Sequence, residues 1–115
     1  MEIMYNTEIL PWENHPSVNN VFIKKMITKK RFGEESPSIL MVKIPVNAVV
    51  PEHIHKESED ILFILAGTGS MWIEKVGELT LKKGVVIRVP RNTKHKIYDV
   101  SKELLIYDVF SPGIM

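Results

Sequence analysis

Three of the chain's four histidines fall at spacings that bring imidazoles together. His53 and His55 flank Ile54, and His95 lies three residues after Asn92 in the turn Pro90-Arg91-Asn92. Neutral imidazole is a ligand for Zn, Fe, Ni and Cu, and three imidazoles with one carboxylate make an adequate donor set for a divalent ion. Two carboxylates compete for that place. Asp60 and Glu59 both follow His55 closely, and strand parity favours Asp60, which shares a face with Leu62, Ile64 and Ala66. Such a set leaves coordination positions open to a substrate or to dioxygen, and an open site supports catalysis. The remaining histidine, His15, lies between Asn14 and Pro16 and reads as a surface residue of an N-terminal arm.

Strands must carry these residues. Successive side chains on a strand point to opposite faces, so His53 and His55 project side by side. Turn signals recur at short intervals: Gly33 to Pro37, Pro45-Val46-Asn47, Gly67-Thr68-Gly69, Gly77-Glu78, Lys83-Gly84, Pro90 to Asn92 and Ser111-Pro112-Gly113. Runs rich in Ile, Val, Leu and Phe fill the spaces between them. They predict strands over 21–28, 39–44, 49–55, 60–66, 70–75, 78–81, 85–89, 95–100 and 104–110. The fold class is therefore all-β, an antiparallel sandwich or small barrel. No stretch of a dozen residues shows helical periodicity. Residues 1–20 form an arm and 21–115 a single domain, consistent with the 115-residue length. Inward candidates are Met41, Leu62, Ile64, Ile97 and Phe110, which imply an apolar pocket. Trp72 is expected opposite Met71 and Ile73.

Several classes are excluded or disfavoured. The absence of cysteine removes disulfides, thiolate metal sites and thiol nucleophiles, and suits a reducing cytoplasm. A formal charge of +1 provides no field for nucleic acid. The basic run from Lys24 to Arg31 reads as a solvated strand face and its turn. The longest apolar run, Ile61 to Ala66, is too short to cross a membrane, and no basic start followed by an apolar stretch marks a signal peptide.

The two histidine segments resemble the paired motifs of the cupin superfamily. The first motif runs Gly, five residues, His-x-His, three or four residues, Glu, six residues, Gly. This chain has Asn47, His53-Ile54-His55, Asp60 and Gly67 at those places. The second runs Gly, five residues, Pro-x-Gly, two residues, His, three residues, Asn. Here it reads Gly84, Pro90-Arg91-Asn92, His95 and Asp99. Asn47 and Asn92 replace glycines at turn positions, and Asn tolerates a left-handed backbone better than most residues. The resemblance implies a single-domain cupin barrel or jelly roll, a homodimer, and one divalent transition metal (Fe, Mn, Ni or Zn) on His53, His55, His95 and Asp60. It implies a metal-dependent isomerase, lyase or dioxygenase acting on a small polar organic molecule, or a non-catalytic module binding a sugar or organic acid. Asp108 and Tyr98 are the candidates for acid or base.

The tail Asp108-Val109-Phe110-Ser111-Pro112 resembles the ending of small cupins that linearise unsaturated uronates, in which this Asp acts in proton transfer. An Arg follows the Pro in that group, whereas this chain has Ile114. The plainer reading makes Val109 and Phe110 barrel closure and Asp108 a polar strand residue.

Overall fold

The computed structural model describes residues 3–115. Among them are eight strands: β1 (Glu13–Asn14), β2 (Phe22–Ile27), β3 (Ser38–Ile44), β4 (Val50–His53), β5 (Glu59–Ile73), β6 (Gly77–Lys82), β7 (Val86–Val89) and β8 (His95–Ser111). Every pairing is antiparallel, in the order β1-β2-β3-β8-β5-β6, with β4 added on β8 and β7 on β5. A single-turn helix, α1 (Lys29–Phe32), follows β2 and takes up the end of the basic run. No helix among the described residues is long and apolar enough to cross a membrane.

The strands at 60–66 and 70–75 are one continuous element, and so are those at 95–100 and 104–110. β5 and β8 pair along most of their length and bend together. Register shifts between Ile64 and Ser70 supply the bend. Gly67 has φ +93°, and a Cβ there would lie 2.1 Å from the Glu103 carbonyl oxygen, so glycine is required by both conformation and space. The bulge also turns Ala66 outward, away from the face of Asp60, Leu62 and Ile64.

Alternation sets the interior. In β3, Ser38, Leu40, Val42 and Ile44 are buried and the residues between them are partly exposed. Met41 therefore faces outward, and Leu40, Val42 and Ile44 take the inward places expected of it. Both faces of this strand are apolar, so parity defines the two sets without deciding which turns inward. Ile44, Ile64, Met71, Leu81, Leu104 and Ile106 form the most deeply buried part of the core. Trp72 lies opposite buried Met71 and Ile73, under the ammonium of Lys96.

The segment around Trp12 and the C-terminal residues are fastened against the barrel. β1 pairs with β2, and Trp12 beside it carries the Lys43 ammonium 4.2 Å from its ring centre. At the other end the Ser38 hydroxyl accepts from the Ile114 and Met115 amides (2.9 and 3.0 Å) and donates to the Met115 carbonyl (2.8 Å).

Candidate metal centre

A cavity of about 480 Å³ opens between β2, β3, β4, β8 and the first half of β5. Leu40, Val42, Leu62, Ile97, Ile106 and Phe110 give it an apolar wall, and His53, His55, His95, Asp60 and Asp108 give it a polar one. Ile64 belongs to the core behind this wall.

The three histidines converge. His53 ends β4 directly opposite His95 at the start of β8. His55 follows β4, and its carbonyl accepts from the Asn92 amide at 2.7 Å, which ties it to the turn before His95. Asn92 and Asn47 have φ of +56° and +67°, as expected of residues standing at glycine turn positions. One nitrogen from each of His53, His55 and His95 lies within 4.8 Å of the others. The His53 and His95 rings approach to 4.1 Å between centroids, and the edge of Phe110 packs on His55.

Hydrogen bonds fix which nitrogen His53 and His95 present. His53 Nδ1 donates to the Pro51 carbonyl and His95 Nδ1 to the Thr93 carbonyl, each at 2.8 Å. Both rings therefore carry a proton on Nδ1, which leaves Nε2 as the nitrogen available to a metal, the usual support for a metal-ligating histidine. Burial is the main reason that the His53 and His55 imidazoles are held below their ordinary pKa, which keeps them neutral.

Asp60 is buried, with one carboxylate oxygen 3.5 Å from His95 Nε2 and 3.9 Å from His55 Nε2. Its Oδ1 and the His95 Nε2 are buried without a hydrogen-bond partner. A ring nitrogen facing a carboxylate oxygen across that distance, both residues buried, is the arrangement a cation relieves. The donor set present thus fits a divalent transition ion. Glu59 points to the other face and pairs with Arg88 at 2.6 Å, so Asp60 is the carboxylate directed into the cavity.

Asp108 and Tyr98 separate. Asp108 is buried on the cavity wall, level in register with Leu40 on one side and Leu62 on the other. Loss of hydration between those leucines raises its pKa well above the carboxylate range, and the neighbouring Asp60 charge and a hydrogen bond to Asp60 add to the effect. Tyr98 is on the opposite face of β8 from His95 and Ile97, off the cavity wall, and its hydroxyl donates to Glu78. That bond holds the phenol at about 12.

His15, expected on the surface or in the N-terminal arm, lies in the arm and is half-buried on the cavity wall, with Pro16, Ser17 and Val18. Nothing local in the sequence signals this, because the contact joins the arm to strands far along the chain.

The family model described as Cupin domain matches residues 40–110. The uncharacterized protein MJ1618 of Methanocaldococcus jannaschii is 30% identical over 78 residues, which make up 68% of this chain and 62% of that protein. The match therefore spans less than two thirds of that relative's length. A predicted oxalate decarboxylase of Thermotoga maritima superposes with a TM-score of 0.80 at 18% identity, covering 94% of this chain and 97% of that one. KdgF from Halomonas sp. superposes at 0.76 and 19% identity, covering 95% and 93%. These structural likenesses establish the barrel architecture.

Proposed function

The chain belongs to the cupin family, and from that premise we propose that it is a metal-dependent enzyme acting on a small oxygen-bearing organic molecule. His53, His55, His95 and Asp60 hold one divalent transition ion, Fe, Mn, Ni or Zn. The observation carrying this reading is the convergence of three imidazole nitrogens within 4.8 Å of one another, beside a buried carboxylate with one unpartnered oxygen, in a cavity of about 480 Å³. A bound ion supplies a Lewis acid or redox centre for a substrate oxygen.

The chain's own residues do the rest. The Pro51 and Thr93 carbonyls hold the rings in their ligand tautomers. The apolar wall excludes water and takes up the substrate's carbon skeleton. Asp108, whose burial and neighbouring Asp60 favour its protonated form, hands a proton to the substrate and takes it back in this reading.

Protein reconstituted separately with Fe(II), Mn, Ni and Zn, and assayed against small hydroxy and oxo acids, tests the reading. Turnover under argon with Zn or Ni identifies isomerase or lyase chemistry. Oxygen consumption with Fe(II) identifies a dioxygenase. Saturable binding without turnover by any metal form makes the protein a binding module for a sugar or organic acid.

The partner we propose is a second copy of the chain. Met41, Tyr107, Phe63 and Val86 lie side by side across four strands on the outer face, and Phe63, Tyr107 and Val86 are 40%, 38% and 63% exposed. An apolar row of this kind is costly to leave in water. Sedimentation is expected to give a dimer that Phe63→Lys dissociates; a wild-type monomer at micromolar concentration contradicts it.

A further inference from the structure

The fourth histidine differs from the other three in the nitrogen it offers. His15 Nδ1 accepts from the backbone amides of Ser17 and Val18, both at 3.1 Å, and the Ser17 hydroxyl lies 3.4 Å away. A nitrogen that accepts two N–H groups cannot carry a proton. The ring is therefore neutral and its proton is on Nε2. His53 and His95 are the reverse, with Nδ1 donating to carbonyls and Nε2 bare. His15 is accordingly unsuited to the metal, and it does not belong to the convergent trio. It is a hydrogen-bond donor through Nε2 on the wall of a cavity where His53 and His95 donate through Nδ1 to backbone carbonyls. Burial and the neighbouring His53 both favour this neutral form.

The donor is held in place. The His15 amide donates to the Val21 carbonyl at 2.8 Å, and Glu13 and Asn14 pair with Ile23 and Phe22. Asn20, with φ +56°, turns the chain back into β2. His15 Nε2 has no protein partner among the described residues. Besides His15, the cavity walls contain the carboxyl groups of Glu52, Asp60 and Asp108, and neither Lys nor Arg.

Resting on the metal-centre reading above, we infer that His15 is a substrate-positioning residue, donating through Nε2–H to an oxygen of the ligand. The same walls assign the ligand class. It is a small acid or oxo acid with a single anionic head, which the metal meets, and an apolar body. A second carboxylate would face the walls without a cation to receive it.

The test pairs two substitutions. His15→Asn keeps an acceptor near the Nδ1 position for the Ser17 and Val18 amides and removes the distal donor. His15→Gln carries an N–H to about the reach of Nε2. Zinc-loaded wild type and variants are titrated calorimetrically with pyruvate, 4-methyl-2-oxopentanoate, phenylpyruvate and the dianion 2-oxopentanedioate. Zinc stoichiometry is expected to stay at one per chain throughout. His15→Asn should weaken the oxo monoacids by about 5- to 30-fold, the range of one hydrogen bond, and His15→Gln should recover part of the loss. The dianion should bind more weakly than the monoacids. Long-range nitrogen–proton NMR of the metal-free protein should find His15 neutral with its proton on Nε2.

Equal affinity in His15→Asn, an Nδ1–H tautomer, or failure of every monoacid to bind the zinc form overturns the inference. Loss of zinc in His15→Asn overturns it too, by making His15 a ligand. Failure of the wild type to take up zinc refutes the metal-centre reading instead, and the tautomer still reads His15 independently.

Discussion

Replacing Asp108 with Asn should make the metal-free protein more stable at neutral pH, by an amount that depends on pH in a specific way. Asp108 lies between Leu40 and Leu62 in register, with one oxygen buried and unpartnered. Its folded pKa is raised, so the folded carboxyl pair with Asp60 keeps a proton that two unfolded aspartates release. Folding therefore takes up a proton above the unfolded value of about 3.9. Stability from this group is fully present below that pH and is lost as pH rises through the folded pKa. The loss runs at about 1.4 kcal/mol per pH unit inside that window and stops beyond it. The carboxamide introduced by D108N has no proton to take up, and its N–H can donate to Asp60 in place of the carboxylic O–H.

Urea titrations of chelator-treated wild type and D108N, each from pH 4 to 8, measure the difference. The two should nearly coincide at the acid end and separate at about 1.4 kcal/mol per pH unit until the gap levels off. The pH of levelling is the folded pKa. A gap that stays constant across the range would refute the buried-proton account. The same variant should lose turnover, because a carboxamide cannot exchange the proton.

Other outcomes follow from individual residues. The imidazoles of His53 and His55 are depressed by burial, so unfolded chains bind protons that the fold refuses below about pH 6.5. Metal-free D108N should therefore lose stability as pH falls through 6.5, by up to about 1.4 kcal/mol per pH unit for each histidine, and His53→Asn should reduce that slope in chemical denaturation. Gly67→Ala forces a Cβ to 2.1 Å from a backbone carbonyl at φ +93°, and thermal melts should report a loss of about 3 kcal/mol or failure to fold.

The sequence makes the convergent histidines legible because their geometry is local. An alternating pair on a strand and a histidine after a Pro-x-Asn turn fix three side chains within short stretches. Asn47 and Asn92 are legible for the same reason, since a left-handed turn residue advertises itself by type. Strand continuity is not legible. Gly67-Thr68-Gly69 reads as a hairpin turn, yet it is a bend within β5, and only the paired course of β8 distinguishes the two. Met41 shows the limit of parity on a strand apolar on both faces. Tyr98 shows that a reactive side chain near a ligand in sequence can stand behind the sheet. His15 escapes a sequence reading because its partners are the Ser17 and Val18 amides and a cavity wall built from distant strands.

Elemental analysis of untagged protein, purified without chelators, beside a His53→Ala/His95→Ala double variant tests the central claim most directly. The account predicts about one equivalent of Fe, Mn, Ni or Zn per wild-type chain, removed in the variant while circular dichroism stays that of a folded β-protein. Wild type without metal, and taking up none when offered each ion, would contradict it.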